Sequence, residues 1–181
     1  MCGIWGYSNL TSNLDTELVS ELISLADDRG GHSYGIYAIR NDNTHFVFKS
    51  HGRSDIGLLL SMIKNCQTVI GHSRLATSGD LNLLDTQPIV NKNDVIVHNG
   101  NIPFAEVVYK LYNYTPVTNN DSEALIPMIN DGEEISIEGA FLHLKLDYGS
   151  HKLTSYENHL PLYQKTINET TYYCSKKWEK Y

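Results

Sequence analysis

The sequence predicts an α+β domain in which antiparallel sheets are flanked by helices, and three observations predict it. Amphipathic helical stretches and β-rich hairpin runs are interspersed without the regular strand–helix alternation of parallel α/β folds. Residues 145–173 alternate polar and apolar side chains between turn signals, as a meander of antiparallel strands does. The 181 residues, 41% hydrophobic and 19% charged, suffice to bury a substantial core. No internal repeat, low-complexity stretch or linker divides them, so residues 1–181 are expected to form a single domain.

The elements follow in order. Residues 2–8 are short, apolar and aromatic and read as a strand. Leu14, Leu18, Val19, Leu22, Ile23 and Ala26 recur at helical spacing, which predicts a helix over 14–27. Ser12, Asn13 and Asp15 offer caps at its start, and Arg29-Gly30-Gly31 stops it. Residues 34–40 and 44–50 form a hairpin around Asn41-Asp42-Asn43. Residues 54–65 read as a short helix started by Ser54 or Asp55. Thr68-Val69-Ile70 is a buried strand leading into Gly71-His72-Ser73-Arg74, and 77–94 is a long polar connection containing Gln87-Pro88. Such a connection inside a compact domain is more often functional than idle. Residues 94–98 form a strand that ends at the turn signal Asn99-Gly100. Helices are predicted over 104–111, over 121–129 with Asp121 or Ser122 at the cap, and over 135–144. Residues 175–181 are charged and free to fray.

Composition excludes several classes. A net charge of −7 leaves no broad basic surface for nucleic acid. No apolar run approaches the roughly 18 residues that span a bilayer, so no membrane association is expected. The opening MCGIWGYSNL has no signal-peptide pattern, and the three cysteines, Cys2, Cys66 and Cys174, form no C-x-x-C pair. A reducing, cytoplasmic compartment is therefore expected. There is no Walker A loop and no dinucleotide fingerprint, and neither a metal nor an organic cofactor is implied.

Cys2 directly follows the start methionine. If Met1 is trimmed, one residue carries both a thiol, with an ordinary pKa of about 8.5, and an α-amine, at about 7.7–8.0. The amine can then take the thiol's proton, which makes Cys2 a nucleophile with its own base. The alternative is a small buried strand residue. A thiolate attacking an amide creates an oxyanion that needs fixed donors, and Asn99 with Gly100 can supply a side-chain amide and a backbone N–H. The alternative there is an ordinary β-turn. Arg74 suits a carboxylate through its forked donors, or a salt bridge. Asp121 suits an ammonium, or caps a helix. His72 and His98 read as structural histidines.

Taken together these stretches resemble the class II, N-terminal-nucleophile glutamine amidotransferase domain. MCGIWGY resembles its Met-Cys-Gly-Ile opening, and residues 28–36 resemble its Arg-Gly-x-Asp-Ser-x-Gly segment. GHSRLATSGD at 71–80, QPI at 87–89, VHNGNI at 97–102 and NDSEAL at 120–125 resemble further family elements in the same order and spacing. The resemblance covers roughly residues 2–130 and is looser beyond. It implies a four-layer αββα sandwich with Cys2 as nucleophile and Asn99 and Gly100 as the oxyanion hole. It also implies that Arg74 and Asp121 grip L-glutamine with Thr77 nearby, and that Arg29 positions the N-terminal strand behind them. The implied reaction turns glutamine and water into glutamate and ammonia through a γ-glutamyl thioester. Members usually continue into a synthase domain that consumes the ammonia, and none is visible here, so a separate synthase partner is expected. Leu75 replaces a common aromatic residue, Ser78 a histidine and His32 an aspartate, which bears on pocket closure and subfamily. Two other readings are a hydrolase of a different γ-glutamyl amide or peptide, and a non-catalytic module that retains the fold.

Overall fold

The computed structural model of the chain describes residues 1–11, 13–75 and 82–179. Strands β1 (Gly3–Ser8), β2 (Ser33–Arg40), β3 (His45–His51), β4 (Cys66–Arg74), β9 (Tyr163–Ile167) and β10 (Thr170–Cys174) form an antiparallel sheet ordered β3-β2-β4-β1-β10-β9. A second antiparallel sheet, β5-β6-β7-β8, is built from Ile89–Asn91, Asp94–Gly100, Gly139–Asp147 and Ser150–Asn158. Helices α1 (Thr16–Asp27) and α2 (Ile56–Ile63) pack with the first sheet. Helices α3 (Ala105–Leu111) and α4 (Leu125–Asn130) pack with the second.

The period-2 alternation of strand side chains sorts the core into three interfaces. Trp5, Tyr7, Ile36, Ala38 and Val69 meet Leu18, Val19, Leu22 and Ile23 of α1 and Leu59 and Ile63 of α2. Their sequence neighbours Ile4, Tyr37, Ile39 and Ile70 point the other way, onto Val95, Val97, Ala140, Leu142 and Leu144. Ile96 and Phe141, on the far face of the second sheet, pack against Ala105, Val108, Leu125 and Ile126. The layers are thus helix, sheet, sheet, helix. Helix α1 lies so close to β1 that a Cβ on Gly3 would stand 2.1 Å from the Ala26 carbonyl oxygen, so the residue after Cys2 has to be glycine.

Caps fall where the sequence places them at two helices. Asp15 accepts from the Leu18 N–H at 2.9 Å and Asp55 from the Leu58 N–H at 2.9 Å. Five expectations are corrected. The predicted helix over 135–144 is largely strand β7. Ala140, Leu142 and Leu144 face one core and Phe141 another, so both faces are apolar and the alternation that marks a strand is lost. Asn99-Gly100 is not a turn but the paired end of β6, opposite Ala140 and Gly139. The segment from 121 begins as a short 3-10 turn (Asp121–Ala124) capped by Asn120, whose side chain accepts from the Ser122 N–H at 3.1 Å. Strand β5 lies inside the expected polar connection, whose residues 76–81 fall outside the described ones. The expected frayed end, 175–181, is anchored over its described residues 175–179, with Ser175 fully buried and Trp178 packed into the α1 layer.

Candidate active site

The stacked sheets bring three strand ends together. Gly3 at the start of β1 pairs with Ser73 near the end of β4, and the end of β6 lies beside them. Cys2 therefore emerges where β4 delivers Arg74 and Leu75 and β6 delivers Asn99 and Gly100. The Cys2 N–H donates to Asn99 Oδ1 at 3.1 Å, and Cys2 Sγ lies 3.9 Å from the Leu75 carbonyl oxygen. Arg29, just beyond α1, donates from Nε to the Cys2 carbonyl at 3.1 Å. Its Nη1 donates to the Ser175 carbonyl at 3.1 Å and its Nη2 lies 3.4 Å from Met1 Sδ.

Cys2, Leu75, Asn99, Gly100 and Asn101 line an open cleft of about 670 Å³, with Pro103, Phe104, Glu138 and Leu160 on its walls. That size lies within the usual range of small-molecule sites, about 300–1,000 Å³. Asn99 is 2% exposed, and its Nδ2 is buried with no hydrogen-bond partner among the described residues. A buried amide donor without an acceptor, next to a thiol, is a donor poised for something that arrives.

His98 supports this corner from beneath. A Cβ on Gly100 would stand 2.5 Å from His98 Nε2, and one on Gly139 2.7 Å from it, so both glycines make room for the ring. Gln87 ties the group together: its Oε1 accepts from the His98 N–H and its Nε2 donates to Ser122 Oγ at 3.2 Å. The Ser122 hydroxyl, 2.9 Å from His98 Nδ1, is then free to donate to it, which leaves the ring proton on Nε2. In the sequence Gln87 belongs to a polar connection and Ser122 is a candidate helix cap; the network they form around His98 is not visible there. Both lie in polar stretches, Asp85-Thr86-Gln87 and Asn119-Asn120-Asp121-Ser122-Glu123, where nothing local sets them apart.

Burial sets the protonation of the histidines. It pulls His72 down to about 3 and His98 down to about 4. Both rings are neutral at pH 7, and neither hydrogen-bonds Cys2 among the described residues. Between pH 6.5 and these values the unfolded chain binds more protons than the folded one. Stability is therefore full above about pH 6.5 and falls as the pH drops, by about 2 kcal/mol per histidine at pH 5. Urea unfolding at pH 7.5 and pH 5 should show this loss, and His72→Leu should shrink the difference by about 2 kcal/mol. An equal loss in the variant would show that His72 is not the source.

Arg74 closes β4; its carbonyl accepts from the His32 N–H at 3.0 Å, and its Nη1 is buried without a described partner. Asp121 accepts from the Ile102 N–H through Oδ2, directly behind the wall formed by Asn101 and Pro103. Neither Arg74 nor Asp121 lines the cleft itself, and Thr77 lies outside the described residues. Asp121 is held in place by Glu123, which sequence reasoning saw only as a first-turn acid. Its buried carboxylate accepts from Asn91 Nδ2 and Tyr114 Oη, each at 3.0 Å. It also accepts from Val117 N and Thr118 N, each at 2.9 Å, and from Thr118 Oγ1 at 2.8 Å. Five donors on one carboxylate fix the loop that leads into Asp121.

Known proteins resemble this chain in sequence and in fold. A family model described as class-II glutamine amidotransferases matches residues 7–137. The glutamine–fructose-6-phosphate aminotransferase (isomerizing) of Listeria innocua is 33% identical over 184 residues, which cover 98% of this chain and 29% of that protein. The enzyme of the same name from Chlamydia muridarum is 38% identical over 103 residues, 55% of this chain and 16% of that protein. The chain thus spans less than a third of the length of these relatives. A solved glutamine phosphoribosylpyrophosphate amidotransferase from B. subtilis superposes with a TM-score of 0.68 at 20% identity, covering 96% of this chain and 42% of that one. A structure described as the allosteric regulatory enzyme of purine biosynthesis gives 0.64 at 20% identity. These two likenesses carry the fold alone, two antiparallel sheets stacked between helical layers.

Proposed function

This chain belongs to the class-II glutamine amidotransferases, and from that premise we propose that it hydrolyses the side-chain amide of L-glutamine through a γ-glutamyl thioester on Cys2. The observation that carries the reading is the Asn99 amide. Its oxygen accepts from Cys2 N, and its buried Nδ2 has no partner among the described residues. Removal of Met1 turns the Cys2 nitrogen from an amide into an amine with a lone pair. Held by Asn99 Oδ1 through one N–H, that amine takes the thiol's proton while Sγ attacks the glutamine amide carbon. The oxyanion is met by Asn99 Nδ2 and the Gly100 N–H. The protonated amine then delivers its proton to the leaving nitrogen, the C–N bond breaks, and ammonia departs. Water, activated by the same amine, cleaves the thioester to glutamate and restores the thiol.

Arg74 takes the glutamine α-carboxylate and Asp121 its α-ammonium, with Thr77 beside them. Arg74 brings a buried Nη1 with no partner among the described residues, and one oxygen of Asp121 is already fixed by Ile102, which aims the other. Ammonia passes to a synthase outside these residues, a reading supported by the aminotransferases this chain matches over less than a third of their length. A free thiol nucleophile suits a reducing, cytoplasmic setting. One feature favours a second reading, a different γ-glutamyl amide or peptide as substrate: Leu75, where many family members are aromatic, lines the cleft.

Glutamate release from L-glutamine tests both. Saturable release is expected, and L-glutamine should outcompete γ-glutamyl peptides. A γ-glutamyl peptide with a tenfold higher kcat/KM would move the chain to the second reading. No release from any γ-glutamyl compound by protein lacking Met1 would sink both.

A further inference from the structure

The nucleophile's strand is fastened close to its start by the far end of the chain. Ser175 is fully buried and lies one residue past β10, where the β1–β10 ladder has ended at Trp5 and Cys174. It continues that ladder by other means. The Ser175 N–H donates to the Ile4 carbonyl at 2.9 Å, and its side-chain Oγ accepts from the Ile4 N–H at 2.8 Å. Its carbonyl accepts from Arg29 Nη1 at 3.1 Å, and the same guanidinium donates from Nε to the Cys2 carbonyl at 3.1 Å. Ser175 thus touches both routes by which the main chain of Cys2 is held on this side: the strand two residues on, and the Arg29 fork on its carbonyl. On its other side Cys2 is held by Asn99, on its nitrogen, and by the β1–β4 pairing that begins at Gly3 and Ser73.

We propose that Ser175 is a positioning residue for the reaction, its Oγ acting through the Ile4 N–H to set where the Cys2 thiol and amine stand against Asn99 and Gly100. This inference rests on the proposed function. Displacements of about 1 Å at a nucleophile can cost on the order of 100-fold in rate. Ser175 does not line the cleft and, among the described residues, hydrogen-bonds neither Arg74 nor Asp121, so glutamine binding is separate from its action.

The test is Ser175→Ala on the full chain with Met1 removed. Its kcat for glutamate release should fall between about 10- and 100-fold, with KM for glutamine unchanged within about threefold. Iodoacetamide supplies the control for folding, because Cys66 and Cys174 are buried and Cys2 is not. One thiol should react in the variant as in the parent, at a rate within about threefold, since alkylation needs no alignment with Asn99. Should alanine expose all three thiols, Ser175→Cys decides the matter: it keeps the packing but offers only a weak sulfur acceptor, and kcat should fall about tenfold. Parental kcat in the folded variant overturns the inference and leaves the proposed function standing. So does a loss that appears wholly in KM. Absence of glutamate release from the parent protein removes the proposed function itself.

Discussion

Alanine at position 2 is expected to lower kcat for glutamate release by on the order of 10⁴-fold or more, with the fold unchanged. The loss is that large because a nucleophile is not one contribution among several. Without Sγ there is no thioester, and the remaining groups can only orient water, as loss of a nucleophile does elsewhere. Stability should change little, since Cys2 is partly exposed and lies outside the three core clusters. The same account predicts an equal loss without any substitution. Protein that retains Met1 keeps the thiol, but its Cys2 nitrogen is an amide with no basic lone pair, so the proton has no acceptor. Separating trimmed from untrimmed protein and assaying both checks this. Comparable kcat in the two forms would remove the α-amine from the mechanism and require another base.

Asn99→Asp is the second large effect. Aspartate is almost isosteric and keeps an oxygen for the Cys2 amine, so the terminus stays placed. It replaces the Nδ2 donor with an acceptor that carries negative charge toward a developing oxyanion. Loss of one oxyanion-hole donor costs about 10²–10³ in kcat, roughly 3–4 kcal/mol. Asn99→Asp should reach at least that figure, with KM nearly unchanged because the donor acts on the transition state. Asn99→Ala should fall in the same range while also loosening the amine. A substitution at Asn99 that raises KM and leaves kcat intact would turn it into a substrate-binding residue.

Much of this site is legible in the sequence because its chemistry is local to short stretches. Cys2 beside Met1, the Asn99-Gly100 pair and Arg29-Gly30 each carry a specific group whose use does not depend on knowing the fold. What the sequence hides is the set of contacts between distant segments. Ser175 reads as the start of a charged, free end, yet it is the residue that closes the first strand against the last, 171 positions from Ile4. Glu123 reads as a helix-dipole acid, yet it is buried under five donors from residues 91–118. Gln87 and Ser122 acquire their task only when β6 brings His98 between them.

The fold shows the same division. Amphipathic α1 and α2 are visible because one face of each meets water. Strand β7 is not, because both of its faces are covered and its apolar run has no period to read. Asn99-Gly100 misleads for a related reason. The pair favours a turn in isolation, but the second sheet extends its ladder through both residues and so aims the Asn99 side chain at Cys2. The local preference yields to tertiary pairing at the residue whose side chain meets the Cys2 nitrogen.

The most direct measurement is covalent trapping with a glutamine analogue that carries a chloroketone in place of the side-chain amide, read by intact mass and peptide mapping. The account predicts one adduct per chain, on Cys2, formed only by protein lacking Met1 and suppressed by L-glutamine. An adduct on Cys66 or Cys174, or equal labelling of the form that retains Met1, would contradict it.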